Sequence, residues 1–550
     1  MAGKHAAPQG SANSGYEADV LVIGGGPAGT WAAVCAAQAG ASVILADKGY
    51  CGSSGATAAA GTAVWYVDRD PQKRAATMAS RYDMGGRLAD HGWMGRVLDR
   101  TWDGINTLAD WGYPFPVDAD GVSRRNSLQG PEYMRLMRKQ VKQAGGKILD
   151  HHPVLELLRD EHGAVAGAAG VDRQRGGAWS VRAGAVVIAT GGCAFLSRAL
   201  GCNVLTGDGL LMAAELGAEL SGMEFSNAYG ISPEFGSVTK TLFYSWATFT
   251  DADGVPIPGA ASKGGRSVIA RELLRQKVYA RLDQADEATR QAMRAAQPNF
   301  FLPFDRSGID PFTQRFPVTL RLEGTVRGTG GLRLAGPDCS TTVPGLYAAG
   351  DAATREPICG GFTGGGSHNA AWAISSGSWA GAGAAGHALA ARGRGRTSIA
   401  AGAAGLRGNG ARAADAAALV KAVQDEVMPF ERNYFRTADV LEPSVARLDT
   451  QWHALRSAAP AAAVDLLATR EAAAMLATSR WMYRSALARR ETRGMHKRYD
   501  YLEQDAAQYH HLSAGGLDEV WVQPRAVDGG GVQSTTQSVP QSAPQTRLAA

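Results

Sequence analysis

Short apolar runs separated by glycine-rich turns dominate the first two hundred residues and recur over 317–380. Asp19-Val-Leu-Val-Ile23 is one such run and Ala41-Ser-Val-Ile-Leu-Ala46 another, with the helix-forming segment Thr30 to Ala39 between them. Strand, turn, helix and strand in that order predict a parallel α/β sheet. The pattern changes from Asp415 to Gly494, where Leu466, Leu467, Ala472, Met475, Leu476, Trp481 and Met482 fall at helical spacing, so a helical domain is expected there. Between the two, about 391–414, Arg, Gly and Ala dominate (Ala391-Arg-Gly-Arg-Gly-Arg396, then Gly408-Asn-Gly410), which reads as a linker. Residues 1–15 and 526–550 hold too few large apolar groups to offset the entropy of ordering, and both tails are expected to be disordered. No internal repeat is found.

A chain of 550 residues exceeds what one hydrophobic core supports, so two or three domains are expected. Its 70 glycines stand well above the average share of roughly 7% and point to tight turns and close backbone approaches. The net charge of +5 is small, and Lys and Arg are scattered, which argues against a nucleic-acid surface and leaves small anions as partners. Cys35, Cys51, Cys193, Cys202, Cys339 and Cys359 show no C-x-x-C spacing, so no metal or iron–sulfur site is expected and the thiols read as reduced. The first sixteen residues lack an apolar signal core, and no stretch of 18 apolar residues follows. The expectation is a cytoplasmic protein without direct membrane insertion; its oligomeric state is left open.

The candidate chemistry starts at Gly24-Gly-Gly26-Pro27-Ala28-Gly29, directly behind the first strand. Gly24 makes the tight turn, Gly26 lets backbone N–H groups reach a pyrophosphate, and Gly29 lets the helix pack on the strand. The helix N-terminus adds partial positive charge. Asp47, followed by Lys48, ends the second strand where a carboxylate accepts hydrogen bonds from ribose hydroxyls. A single such glycine pattern is weak; combined with strand, helix, second strand and terminal acid, it marks a dinucleotide site. Three further segments follow downstream: Val186-Val-Ile-Ala189-Thr190-Gly191-Gly192, Thr206-Gly-Asp208-Gly209, and Val343 to Gly350-Asp351. FAD, with adenosine, pyrophosphate, ribityl chain and ring to grip, needs that many; NAD needs fewer.

These residues make the sequence resemble the flavoprotein subunits of succinate dehydrogenase and fumarate reductase, a family that includes L-aspartate oxidase and the adenylylsulfate reductase α subunit. The likeness covers roughly 17–525 and is carried by the glycine turn, Gly52-Ser-Ser-Gly-Ala-Thr57, the later glycine segments, Met223-Glu-Phe225, and Ala488-Arg-Arg-Glu-Thr-Arg-Gly-Met-His496 with Arg498 and Asp500. It implies a Rossmann-type FAD-binding domain (16–225 and 317–390), an inserted α+β capping domain (226–316), and a helical C-terminal domain (415–525). It also implies that Ser53, Ser54, Gly55 and Thr57 approach the pyrophosphate and flavin, that Asp208 and Asp351 lie at the ribityl chain or flavin edge, that Ser367 meets the ring, and that Val154 joins the cofactor contacts.

Departures from the family pattern narrow the chemistry. Members with covalent FAD carry a His in the loop matching Gly52–Gly61, which has none here, so FAD is expected to be non-covalent. The dicarboxylate enzymes have a His where this chain has Tyr229, a Cys-Arg-Gly-Glu segment absent from 228–265, and a Gly-Ala-Asn-Arg run where this chain reads Gly360-Gly-Phe-Thr-Gly-Gly-Gly-Ser-His-Asn369. Without those cations a four-carbon diacid loses its clamps, which argues against succinate and fumarate. The runs Phe362 to His368 and Met428 to Arg436 resemble the adenylylsulfate reductase α branch, which works with a separate iron–sulfur subunit.

Flavin chemistry moves a hydride to or from N5 and requires a proton partner and an orienting group. Arg327 is the candidate anion clamp or proton donor and His368 the candidate acid or base, with Arg321, Glu323 and Tyr229 as further substrate-side residues. Each has a plain alternative: a satisfied core histidine, an Arg327–Glu323 ion pair, a packed tyrosine. Arg490 to His496 reads as an Arg–Glu network pinning the helical domain, with Arg493 and His496 near the site mouth. The function read here is an FAD-dependent oxidoreductase acting on a small polar metabolite. The alternative is a flavin-bearing electron-transfer subunit with a ferredoxin-like iron–sulfur partner. Acid precipitation of purified protein tests the attachment: yellow colour is expected in the supernatant, and colour retained in the pellet contradicts non-covalent FAD.

Overall fold

The computed structural model describes residues 14–527 except 119, 240, 364–365 and 394–396. Its main sheet is centred on Ser14–Ile23, which pairs in parallel with Val43–Ala46 on one side and with Ala178–Ile188 on the other. Lys147–Leu149 extends the parallel side. Ala178–Ile188 is long enough to serve two partners: its first half pairs antiparallel with Val165–Val171, and its last three residues pair in parallel with Leu346–Ala348. Val154–Arg159 and the edge pair Ile399–Ala400 complete eight strands. Glycine segments therefore leave the carboxyl ends of three adjacent parallel strands at one point, where α/β sheets bind ligands. The long helix Gly366–Ala390 runs under this sheet against Pro27–Gln38. A side chain at Gly377 or Gly381 would overlap the Ala28 or Ala32 carbonyl, so glycine at these i, i+4 positions sets the contact distance.

The cap is a four-stranded antiparallel sheet in the order Ala228–Pro233, Phe316–Glu323, Val278–Arg281, Thr248–Thr250. Its core is aromatic: Phe243, Tyr244, Phe300, Phe301, Phe304 and Phe316 pack edge to face. The boundary expected after residue 316 needs correction. Phe316–Glu323 pairs with cap strands on both sides, so the cap runs through Glu323. Asn299 Nδ2 donates to the Ala59 carbonyl at 2.7 Å and holds the cap against the 52–61 loop.

Ala416–Val427, Ala438–Ser457 and Leu466–Ala488 pack together as the expected helices. The domain is not helical to its end: His511–Gly515 and Trp521–Arg525 form a hairpin that joins Leu220–Ser221 and Gly331–Leu332 in a second four-stranded sheet. The linker is also more ordered than expected, since a side chain at Gly408 or Gly410 would overlap the Ala458 or Ser457 carbonyl; its Arg394 to Arg396 lie outside the described residues. Ser14 and Gly15 belong to the first strand rather than to a tail; residues 1–13 and 528–550 lie outside the described residues. Among the described residues no helix is long and apolar enough to cross a membrane.

An ion network ties the last domain to the first. Arg489 bridges Glu224 at 2.8 Å and Glu491 at 2.9 Å with no side-chain exposure, and Arg493 bridges Glu491 at 2.6 Å and donates to the Gly86 carbonyl. His496 is fully buried and accepts from Arg436 at 2.9 Å; with Arg493 it belongs to this network and not to a site mouth, because both side chains are closed off by packing. Replacing Arg489 by Met leaves two carboxylates buried without their shared cation. A loss on the order of 3–5 kcal/mol is expected, seen as a lower midpoint in chemical denaturation; an unchanged midpoint would show that the network is not what holds the domain.

Candidate active site

The glycine turn divides its duties. A side chain at Gly24 would overlap the Ala189 carbonyl, and one at Gly29 the Gly24 carbonyl, so both glycines exist for main-chain packing. Gly26 differs: nothing lies within 4 Å of where its side chain would project, and it caps the helix Pro27–Gln38 without a side-chain hydrogen bond. An open space at a helix N-terminus with free N–H groups suits a pyrophosphate. Asp47 stands beside it, accepting from Gly25 N at 2.6 Å, Gly49 N at 2.7 Å and Ser54 Oγ at 2.9 Å. A carboxylate has about four acceptor sites, so capacity remains for a ribose hydroxyl. Gly350 closes the far side, 2.8 Å from the Ala28 side chain to where its own would sit, with its N–H on Ser376 and its carbonyl on Trp372. Gly55 likewise faces open space. The residues present fit FAD.

Other cofactor expectations are relocated by the structure. Lys48 donates to Asp208 at 2.6 Å, Glu471 at 2.8 Å and Thr206 at 2.9 Å. Burial works against its charge, but Asp208 and Glu471 overcome this and hold its pKa above the ordinary range. Lys48 and Asp208 thus join the flavin domain to the helix Leu466–Ala488 and are not free cofactor contacts. Gly191 and Gly192 are crowded by Leu205 and Thr325, so side chains there are excluded by the chain itself and these two offer a cofactor only main-chain groups, while the half-buried Thr190 keeps its hydroxyl beside Ala189. Val154 has its side chain in the core. Asp351 pairs with buried Arg355 at 2.5 Å. Ser53 is exposed, while the Thr57 carbonyl accepts from Ala60 N.

On the substrate side, the strand Phe316–Glu323 delivers Glu323 and then Arg327 after a single helical turn. Glu323 is buried, accepts from Thr239 Oγ1 at 2.8 Å and lies 3.7 Å from Arg327 Nη1. The Arg327 carbonyl accepts from Thr363 Oγ1 at 2.7 Å and the Val326 carbonyl from Asn369 Nδ2 at 3.1 Å, which fixes this turn to the segment expected at the flavin ring. Arg266, the first residue of the cap helix Arg266–Leu273, lies beside the strand that pairs with Phe316–Glu323, with Nη1 on the Tyr229 carbonyl. It donates to the Ser262 and Tyr229 carbonyls, and no carboxylate among the described residues lies within ion-pair distance. Burial and the charge of Arg327 lower its pKa, with Glu323 opposing. Arg327 thus holds the ion pair with Glu323, while Arg266 is satisfied only by main-chain carbonyls among the described residues. Arg266 escaped the sequence reading because Gly264-Gly-Arg266 carries no spacing signal.

Three expected catalytic residues are corrected. The Tyr229 hydroxyl is shared between the Val427 and Met428 carbonyls at 3.0 and 3.1 Å, inside the protein, so it fastens the cap to the helical domain. Arg321 donates to the Glu234 and Gly236 carbonyls and braces a cap turn. His368 is buried with its ring 4.5 Å from that of Trp65; Ser367 Oγ lies 3.2 Å from Nδ1, and the Ser367 carbonyl accepts from Trp65 N. Burial, then the charge of Arg81, push the His368 pKa down to about 3, so it is neutral at ordinary pH and poorly suited to acid–base work.

Comparison with known proteins agrees with this architecture. Residues 19–228 match the FAD binding domain and residues 421–539 the fumarate reductase flavoprotein C-terminal domain. L-aspartate oxidase of Streptomyces coelicolor is 28% identical over 377 residues, 61% of this chain and 63% of that protein. The fumarate reductase flavoprotein subunit of Escherichia coli is 29% identical over 235 residues, 38% of each. The matched part therefore spans less than two thirds of either relative. Among solved structures, the FrdA chain of E. coli quinol fumarate reductase superposes with a TM-score of 0.79 at 22% identity, covering 95% of this chain and 99% of that one. Adenylylsulfate reductase of Archaeoglobus fulgidus superposes with 0.76 at 20% identity, covering 96% and 98%. The chain belongs to the succinate dehydrogenase and fumarate reductase flavoprotein family, and FAD is its cofactor.

The depressed His368 pKa has a signed consequence. Between about pH 6.5 and pH 3 the unfolded chain binds a proton at this residue that the folded chain refuses, so stability is lost as pH falls through that window. Denaturation of wild type and His368→Gln from pH 7 to 4 checks this: the variant is expected to lose less stability on acidification, by up to about 1.4 kcal/mol per pH unit. Parallel pH slopes would contradict a buried neutral imidazole.

Proposed function

We propose that this chain is an FAD-dependent oxidoreductase that moves a hydride between non-covalent FAD and a small anionic metabolite other than succinate or fumarate. The single observation carrying the reading is the Arg327–Glu323 pair on the turn held by Thr363 and Asn369, with the cap's Arg266 bonded only to carbonyls and in no ion pair among the described residues. Two cations to one paired carboxylate favour a bound anion, which restores charge balance. The glycine turn, Asp47, Ser54 and Gly350 hold the cofactor, whose N5 accepts or gives the hydride. Arg327 orients the substrate anion, and Arg266, made more acidic by burial and by Arg327, is the proton donor nearest the site. Asn299 on Ala59 keeps the cap closed and water out. Tyr229 supports the exclusion of four-carbon diacids, because its hydroxyl is engaged with helix carbonyls where a diacid needs a cation.

A second reading, electron relay to a ferredoxin-like iron–sulfur partner, draws on the likeness of Phe362 to His368 and Met428 to Arg436 to the adenylylsulfate reductase α branch. Anaerobic mixing of FAD-loaded protein with small carboxylates, sulfonates and sulfate esters separates the readings. A substrate is expected to bleach the flavin directly, and Arg266→Ala or Arg327→Ala to slow bleaching by roughly a hundredfold at unchanged flavin content. Unaltered rates in both variants contradict the assignment, and bleaching seen only with an added iron–sulfur protein favours the second reading.

A further inference from the structure

A run of touching tryptophans leads from the cofactor cleft towards solvent. Trp372 and Trp379 stand seven residues apart on the helix Gly366–Ala390, hence on one face of it, and Trp93 of the helix His91–Asp110 meets both. The Trp93 ring centroid lies 5.9 Å from that of Trp372 and 5.8 Å from that of Trp379, the range of direct aromatic contact. At the inner end Trp372 is fully buried, and its Nε1 donates to the Gly350 carbonyl at 3.1 Å, on the turn that closes the FAD cleft. The two outer rings are half-buried, and Trp379 Nε1 has no hydrogen-bond partner among the described residues and is not sealed from water. Arg96, anchored on the Pro337 carbonyl at 2.7 Å, lies over both outer rings, 4.6 Å from the Trp93 centroid and 4.3 Å from that of Trp379.

Indole differs from the other large apolar side chains in giving up a single electron to a strong oxidant. Flavins exchange electrons singly as well as in pairs, and light turns the oxidised ring into such an oxidant. We propose that Trp372, Trp93 and Trp379 form a one-electron path by which light drives reduction of the bound FAD at the expense of a donor in solution. One electron passes from the Trp372 indole to the excited, oxidised ring. Trp93 refills Trp372 and Trp379 refills Trp93, which leaves the electron hole on the outermost indole. The Arg96 charge opposes a cation there, so Trp379 releases its Nε1 proton to water and the hole stays outside. A thiol or ascorbate in solution then supplies one electron and water returns the proton; in sum the flavin has gained one electron and the donor has lost one. The path needs FAD in its cleft and nothing of the anion site.

Flash photolysis of the FAD-loaded, oxidised protein under anaerobic conditions tests the path. The wild type is expected to lose oxidised-flavin absorbance within the flash and to show a long-lived indole radical; under steady light with ascorbate its flavin is expected to bleach. Trp93→Phe is expected to lose the long-lived radical, because the hole is then stranded on buried Trp372 and returns to the flavin. Trp379→Phe is expected to shorten the radical's life, and Trp372→Phe to lose charge separation altogether. Trp111→Phe, which removes a half-buried indole outside the path, is expected to keep the wild-type trace. Should Trp372→Phe fail to fold, Trp93→Phe and Trp379→Phe decide the matter, both sites being half-buried, with flavin content and thermal midpoint checked against the wild type. No indole radical in the wild type overturns the proposal, as does a radical whose lifetime is the same in Trp93→Phe and Trp379→Phe as in the wild type, or one lost equally in Trp111→Phe.

Discussion

The architecture depends on main chains approaching where no side chain fits. Gly24 lies on the Ala189 carbonyl, Gly29 on the Gly24 carbonyl, and Gly377 and Gly381 on the carbonyls of Ala28 and Ala32. Each contact removes a methyl-sized spacer, and together they draw three strand ends and two helices to one point. Gly26 is the exception that gives the point a purpose, since its missing side chain opens onto space and not onto protein. A single alanine at Gly29 would push the helix off the strand, and the orphan N–H groups at its start would move with it.

Charge then gives the second half of the molecule its direction. Carboxylates and guanidiniums are matched in the buried Arg489 network and in the Lys48 cluster, which lock the helical domain onto the flavin domain. Around Glu323, Arg327 on the following turn makes the one ion pair, and the cap's Arg266 makes none among the described residues.

The nucleotide half of this was legible in the sequence because its requirements are local: Gly24, Gly26, Gly29 and Asp47 follow one another within a strand, a turn, a helix and a strand. The fold class was legible too, from the alternation of short apolar runs, glycine turns and helices, and the interrupting cap only through the family resemblance. The catalytic half was not. Arg321, Tyr229 and His368 sit near the right place in sequence, but each side chain turns toward carbonyls or core, an outcome fixed by contacts hundreds of residues away such as Tyr229 to Val427. Lys48 was misassigned for the same reason, its partner Glu471 being on another domain. Arg266 went unseen because an arginine at the start of an amphipathic cap helix looks like any solvated surface charge until the cap is folded over. The cap boundary moved by seven residues because strand pairing, not composition, decides where a sheet ends.

The crystal structure of the FAD-loaded protein tests the central claim most directly. The account predicts the pyrophosphate within hydrogen-bond distance of main-chain nitrogens at Gly26, Ala28 and Gly29, a ribose hydroxyl on Asp47, and the flavin ring against Ser367 with Arg266 and Arg327 facing its open side. A flavin bound away from that turn, or both arginines folded onto carboxylates and away from the flavin, would contradict it.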